Sequence, residues 1–104
     1  STNTKLRSGS KLIPLNYGNT PTISVYVLKS SSYSGAAPRL MMKQNNAIGY
    51  SDTVLATSVG VNGTWEKLSA TLPAATDAGI VEVYVDCSGS SNSGFINIDN
   101  WNIS

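Results

Sequence analysis

Hydrophobic and polar residues alternate with a period of two along two stretches of the chain. In residues 23–28, ISVYVL, the side chains of Ile23, Val25 and Val27 fall on one face, and the other face is mixed. In residues 80–86, IVEVYVD, three valines fall on one face, with two acids and a tyrosine on the other. Successive side chains of a β-strand point to opposite faces, so this alternation predicts two half-buried strands.

Shorter stretches of the same kind predict further strands, and no stretch shows a convincing helical period. Turn-forming residues separate these stretches at short intervals, as in YGNTP at 17–21 and VNG at 61–63. Many short strands without helices predict an all-β fold, an antiparallel β-sandwich of about seven strands around one core. The weaker predicted strands are residues 11–15, 38–43, 53–58, 65–72 and 95–103. The predicted core comprises Ile23, Val25, Val27, Leu40, Leu68, Val81, Val83, Val85, Ile96 and Ile98.

Length and composition fit one domain spanning residues 1–104. The chain is 40% hydrophobic, which suffices for one core, and only 12% of its residues are charged, with a net charge of +1. Neither a basic nucleic-acid footprint nor an apolar run long enough for a membrane span is present, so we expect neither partner. The single cysteine, Cys87, is expected to pack as a small hydrophobe. The chain begins with Ser1, which we take to indicate a processed product or a piece of a larger protein.

The inventory of catalytic residues is thin. The chain has no histidine, the usual general base near neutral pH, so Ser-His and Cys-His nucleophile systems are excluded. A glycosidase needs two carboxylates facing each other, and none of the six acids shows a spacing that requires such a pair. Glu82 and Asp86 share a strand face but would lie about 13 Å apart. We therefore expect no catalytic residue and no enzymatic activity.

Three segments resemble the closing half of jelly-roll carbohydrate-binding modules. They are GTWEKLSATLPA at 63–74, GIVEVYVD at 79–86 and GFINIDNW at 94–101. In those families a tryptophan opens a strand after a glycine-rich turn, a valine-rich strand follows, and the last strand carries a hydrophobic-x-Asp-Asp/Asn-hydrophobic signature. RSGSKLIPL at 7–15 and ISVYVLKSSS at 23–32 are similar to earlier strands of the same modules. The resemblance implies a jelly-roll sandwich.

A further stretch, SGAAPRLMMKQNNAIG at 34–49, resembles jelly-roll domains found in phage virion proteins and large surface proteins. The carbohydrate-binding modules usually begin with a strand that carries an Asn-Gly-x-Phe-Glu-like sequence, and this chain has no such segment. The resemblance makes Asp99 of the last strand a candidate calcium ligand, with Asp52 or backbone carbonyls as partners. Because calcium needs six to eight oxygens and the first strand is missing, the alternative is that Asp99 accepts backbone hydrogen bonds or faces water. No other cofactor is expected.

Aromatic residues are the candidates for ligand contact, since sugars lay their C–H faces on exposed rings. Tyr26 and Tyr84 each lie opposite a run of valines, and if their strands belong to one sheet they could share a platform with Arg39 or Lys43. The alternative is that both are ordinary surface aromatics or subunit contacts. Trp101 is a further candidate.

Other aromatic and sulfur-containing side chains have competing roles. Trp65 is expected at the core or rim, and the loop residues Tyr33 and Tyr50 could be structural or bind ligand. Because Met41 and Met42 are adjacent in a strand, we expect one of them to be buried and the other partly exposed.

Two functional hypotheses fit the sequence, and a hydrolase is a distant third. The first is a non-catalytic structural or accessory module on a particle surface, such as a phage decoration or fibre domain. It would contact neighbouring protein subunits, with an open sheet edge available to another chain and glycan adhesion as an added role. The second is a carbohydrate-binding module that holds a secreted enzyme or adhesin on polysaccharide. Either places the protein outside the cell or on a virion surface.

Overall fold

The computed structural model describes residues 7–86 and 94–104, with side chains from Ser10 onward. Cys87 lies outside the described residues. The described chain contains seven β-strands and one short 3-10 turn, which confirms the predicted all-β class and strand count. The strands are β1 (Arg7–Leu15), β2 (Thr22–Lys29), β3 (Arg39–Met42), β4 (Thr53–Thr57), β5 (Trp65–Thr71), β6 (Gly79–Asp86) and β7 (Ile96–Ile103), and the 3-10 turn is Asn46–Ile48. None of these residues forms a helix long and apolar enough to cross a bilayer.

The strands form two antiparallel sheets that pack face to face. The four-stranded sheet has the order β1-β6-β3-β4, and the three-stranded sheet has the order β5-β2-β7. Apart from the β3–β4 connection, each described link between successive strands crosses from one sheet to the other. This arrangement is the jelly-roll sandwich that the sequence predicted.

The core lies between the inner faces of the two sheets. All eight predicted core residues of β2, β3, β5 and β6 are buried, with Val25 and Val83 fully so. Ile96 and Ile98 are only partly buried but pack against the same core. Both belong to β7, an edge strand, where a side chain is covered from one side only.

Several loop and edge residues complete the core without having been predicted. Ile48 of the 3-10 turn and Tyr50 are buried, and the Tyr50 hydroxyl donates to the carbonyl of Pro73 at 2.6 Å. Burial raises the pKa of the Tyr50 hydroxyl above its usual value. Met42 is 2% exposed and Met41 is partly exposed, which confirms the expected division between these methionines. The other unpredicted core members are Ile13, Leu15, Leu72 and Ala75.

We predict that Val83→Asp unfolds the domain. Val83 is fully buried on the central strand β6, so an aspartate there would place an unpaired charge in the core. We expect a loss of more than about 4 kcal/mol in the free energy of unfolding, measured by urea denaturation followed by circular dichroism. The matched control is Ile80→Asp on the same strand, because Ile80 is 54% exposed on the opposite face. A folded Val83→Asp variant would contradict the placement of this strand.

Candidate functional site

The outer face of the three-stranded sheet carries a mixed aromatic and polar surface, which we call the β2 face. It is formed by the outward side chains of β2, β5 and β7, because their inward neighbours fill the core. Tyr26 of β2 lies opposite Lys67 of β5 on one side and opposite Asp99 of β7 on the other. The members of the β2 face are Ser24, Tyr26, Trp65, Lys67, Asp99, Asn100 and Asn102.

Two aromatic rings and a carboxylate line a first hollow on this face. The hollow has a volume of about 320 Å³ and is lined by Tyr26, Trp65, Asp99 and Asn100. Trp65 is 47% exposed, and Tyr26 is partly exposed at the centre of the sheet. The Asp99 carboxylate accepts the backbone N–H of Asn100 at 2.8 Å through Oδ1. Exposed rings beside a carboxylate and an amide offer both an apolar platform and hydrogen-bonding groups.

A second hollow adjoins the first and shares two of its lining residues, Tyr26 and Asn100. It has a volume of about 360 Å³. Its further lining residues are Ser24, Lys67, Trp101 and Asn102. Hydroxyl, amide and ammonium groups therefore dominate this hollow, and no carboxylate lines it.

A β-bulge at Asn100 arranges β7 so that this face can form. Ser24 lies opposite Asn102 and Tyr26 opposite Asp99, so Asn100 and Trp101 together oppose a single residue of β2. Asn100 has φ 56°, the left-handed region that asparagine tolerates better than most residues. Without the extra residue, strict alternation would place Asp99 and Trp101 on the same face. The bulge instead keeps Asp99 outside and turns Trp101 inward.

Trp101 consequently lines the site with part of its side chain and does not present an exposed ring face. Its side chain is partly buried and packs against the core, while it also lines the second hollow. Its indole Nε1 is buried and finds no hydrogen-bond partner among residues 7–86 and 94–104. The predicted ligand role for Trp101 therefore applies, at most, to the edge of its ring.

The structure does not bring the predicted site residues together. Tyr26 belongs to the three-stranded sheet, but Tyr84 and Arg39 belong to the four-stranded sheet, so the predicted shared platform is wrong. Tyr84 is 5% exposed. Arg39 pairs with Asp86 at 3.4 Å, and Lys43 pairs with Glu82 at 3.8 Å on the same outer face. We call this outer surface of the four-stranded sheet the β6 face.

The donor set around Asp99 does not fit a calcium ion. Among residues 7–86 and 94–104, no group of three or more His, Cys, Asp or Glu side chains could hold a metal. The proposed partner Asp52 precedes β4 in the other sheet, where its Oδ1 accepts the backbone N–H of Gln44. A single exposed carboxylate supplies too few of the six to eight oxygens that calcium takes.

Both loop tyrosines make hydrogen bonds within the domain, and Trp65 is more exposed than its expected core or rim position. The Tyr33 hydroxyl donates to the carbonyl of Ala36, and Tyr50 is buried. The sequence analysis missed Lys67, Asn100 and Asn102 as members of the β2 face. Alternation with Leu68 could have placed Lys67 on an outer face, but the bulge that positions the two asparagines leaves no clear signal in the sequence.

The Glu66 carboxylate holds the loop that precedes Trp65 through hydrogen bonds. The Glu66 carboxylate accepts hydrogen bonds from Ser58 Oγ at 2.6 Å, Val59 N at 2.9 Å and Gly60 N at 3.0 Å. Burial raises the pKa of the Glu66 carboxyl, but these hydrogen bonds and the charge of Lys29 together lower the pKa more. The net pKa therefore lies below the usual value of a glutamate.

The buried side chain of Lys29 makes a further hydrogen bond to the same loop. Its Nζ donates to the carbonyl of Gly60 at 2.6 Å, and its backbone carbonyl accepts the N–H of Gly63 at 2.6 Å. Asn62 adds a third tie, because its Nδ2 donates to the carbonyl of Tyr33 at 2.8 Å. The chain leading into Trp65 is thus held in place on one side of the first hollow.

Two solved structures share this fold. One is the N-terminal part of endo-1,4-β-D-xylanase 10B from Clostridium thermocellum, its CBM22-1 and GH10 modules complexed with xylohexaose. The similarity has a TM-score of 0.63 at 19% identity and covers 86% of this chain and 17% of that one. The other is the CBM22-2 xylan-binding domain of Xyn10C from Paenibacillus barcinonensis, with a TM-score of 0.60 at 14% identity, covering 89% of this chain and 68% of that domain.

These similarities establish the class of fold. The chain has the jelly-roll fold that these two modules share, and this is the fold that the sequence resemblance implied. It spans about a sixth of the length of the xylanase chain that it matches. No protein-family model matches the sequence, and no curated protein matches it. Neither structural similarity supports the phage or virion hypothesis.

We predict that the bulge tolerates glycine at position 100 and resists a β-branched residue. Asn100→Gly should leave the free energy of unfolding within about 0.5 kcal/mol of wild type, because glycine adopts positive φ without strain. Asn100→Val should cost about 1–3 kcal/mol in urea denaturation. Asn102→Val, two residues along the same strand, is the matched control and should have little effect. Equal stability of the two valine variants would contradict the bulge.

We predict a pH-dependent contribution of Glu66 to stability. Because its pKa is lowered in the folded state, its contribution is fully present above the unfolded value of about 4.3 and is lost as the pH falls through the folded pKa. Urea denaturation from pH 7 to pH 2.5 should show the stability difference between wild type and Glu66→Gln shrinking at the acid end. A constant difference over this range would contradict the hydrogen-bonded carboxylate.

Proposed function

We propose that the domain is a non-catalytic carbohydrate-binding module that binds polysaccharide on the β2 face. The observation that carries this proposal is the first hollow, where Tyr26 and Trp65 stand beside Asp99 and Asn100. The jelly-roll fold of the carbohydrate-binding-module type supports it. The preferred sequence hypothesis, a particle-surface module, gains no such support.

The chemistry of the first hollow suits a sugar. The C–H faces of a pyranose ring are apolar and pack on the exposed ring of Trp65 or Tyr26. Hydroxyl groups at the ring edge can donate to the Asp99 carboxylate. Its Oδ1 accepts a backbone N–H, and no hydrogen bond to Oδ2 is made within the described part of the chain. The Asn100 amide both donates and accepts, so it can satisfy a hydroxyl in either sense.

The positions of the acids support a binding role without hydrolysis. Glu66 fastens a loop, while Glu82 and Asp86 are paired with cations on the β6 face. Asp99 is the one carboxylate among the described residues that line the first hollow, and a glycosidase mechanism needs two that flank the scissile bond. Binding through stacking and hydrogen bonds needs no second acid.

Xylan is the first polysaccharide to test. One of the two similar structures holds xylohexaose, and the other is a xylan-binding domain. Modules of this kind hold an enzyme or adhesin on polysaccharide outside the cell, so an extracellular location and attachment to a larger protein accompany the proposal.

We predict that the β2 face binds soluble xylan and that both rings contribute. In affinity electrophoresis, Tyr26→Ala and Trp65→Ala should each weaken retardation by xylan at least about fivefold, because each removes a stacking surface. Tyr17→Ala is the matched control, since Tyr17 is 79% exposed, lies in the turn before β2 and lines neither hollow. Arg39→Ala tests the β6 face and should leave binding unchanged.

Two outcomes would contradict the proposal in different ways. Absence of binding to xylan, cellulose and mannan fragments by the folded domain would reject carbohydrate binding. Binding that is lost in Arg39→Ala but retained in Tyr26→Ala and Trp65→Ala would keep the function and move the site to the β6 face.

A further inference from the structure

The two hollows of the β2 face differ in charge although they share a wall. The first is lined by one carboxylate, that of Asp99, and the second by one ammonium group, that of Lys67. These two residues flank Tyr26 on the strands on either side of β2, so their Cα atoms lie about 10 Å apart. No ion pair joins Lys67 to Asp99 in the described part of the chain. Each hollow thus offers its own charge to a ligand.

The charge of Lys67 is available to a ligand, unlike that of two other lysines in the domain. Lys43 pairs with Glu82 on the β6 face, and the Lys29 ammonium is committed to the carbonyl of Gly60. Lys67 is exposed, and no ion pair joins it to an acid within residues 7–86 and 94–104. Its outward position on β5, opposite Tyr26, directs the ammonium to the second hollow.

Several other groups around the second hollow can donate hydrogen bonds to an anion. The Ser24 hydroxyl and the amides of Asn100 and Asn102 can all donate as well as accept. The indole N–H of Trp101, which has no partner among the described residues, lies buried in the wall of the hollow. The described residues that line this hollow include no carboxylate, so an anion there would meet an ammonium and several donors. Charge-assisted hydrogen bonds of this kind are stronger than neutral ones.

The hollows are arranged in succession along β2. Trp65 lies opposite Leu28, Lys67 opposite Tyr26, and Asn102 opposite Ser24, so three rows of side chains follow the strand about 7 Å apart. Lys67 and Asp99 flank the middle row, that of Tyr26, from opposite sides. A glycan lying along β2 would pass between them, with one sugar unit in the first hollow toward Trp65 and a neighbouring unit in the second hollow toward Asn102.

We propose that the β2 face selects an acidic glycan, with a neutral sugar in the first hollow and a carboxylate or sulfate group in the second, held by Lys67. This inference rests on the proposed carbohydrate-binding function and adds the ligand's charge and orientation to it. An acidic group in the first hollow would face Asp99, so the ligand is bound in one direction only.

The test is isothermal titration calorimetry with three ligands on one backbone: xylohexaose, xylohexaose carrying one glucuronic acid branch, and xylohexaose carrying one sulfate ester. The branched or sulfated ligand should bind about three- to fivefold more tightly than xylohexaose, as expected for a partly exposed ion pair. Lys67→Met should abolish this preference, measured as the ratio of the affinities for the acidic ligand and for xylohexaose within the same variant. The matched control, Lys43→Met, should retain the preference because Lys43 lies on the β6 face.

The outcomes separate this inference from the function on which it rests. Tighter binding of only one acidic ligand identifies the anion as carboxylate or sulfate and supports the inference. Equal affinities of wild type for the three ligands, or a preference that survives Lys67→Met, would overturn it while leaving carbohydrate binding intact. Absence of binding to all three, and to other neutral glycans, would overturn both. Raising the salt concentration should weaken the preference of wild type and leave xylohexaose binding unchanged.

Discussion

The structure depends on the burial of apolar side chains between two sheets, by strands whose successive side chains point to opposite faces. Val25 and Val27 face inward from β2, and Val83 and Val85 face them from β6. Each fully buried valine contributes about 1.5–3 kcal/mol relative to exposure, so register errors would be costly. The same alternation that buries the valines of β2 presents Tyr26 outward. The binding face proposed above is therefore a direct consequence of core packing.

The β2 face also depends on one departure from alternation. At Asn100 the last strand gains a residue, which keeps Asp99 outside and sends Trp101 to the core. The tryptophan then contributes apolar burial, and the carboxylate stays with the ligand-facing side chains. On β5, at the other edge of the same sheet, the Glu66 carboxylate accepts hydrogen bonds from the loop before Trp65. Both edges of the face are thus fixed by local hydrogen bonding and backbone geometry.

Much of the fold was predictable, because strand alternation and turn residues are local properties of the sequence. All seven strands were predicted to within a few residues, and β1 differs most because its first residues, around Ser8, lack clear alternation. Strand pairing was not predictable in the same way, since it joins residues far apart in the chain. Tyr26 and Tyr84 have the same local pattern, yet they lie on opposite faces of the sandwich.

The candidate site was predicted in part for the same reason. Alternation alone placed Tyr26 correctly on an outer face. Trp101 lies on the inner face because of a β-bulge, and the only local sign of that bulge in the sequence is Asn100. Lys67 and Asn102 join Tyr26 only when β5 and β7 pair with β2. Their chemistry was visible in the sequence, but their proximity was not.

The most direct test of the account is an NMR titration of the isotopically labelled domain with xylohexaose, following backbone amide shifts. The account predicts that the largest shifts fall on residues 24–28, 64–68 and 97–102, which surround the two hollows. Shifts confined to β3 and β6, or none at millimolar ligand, would contradict it.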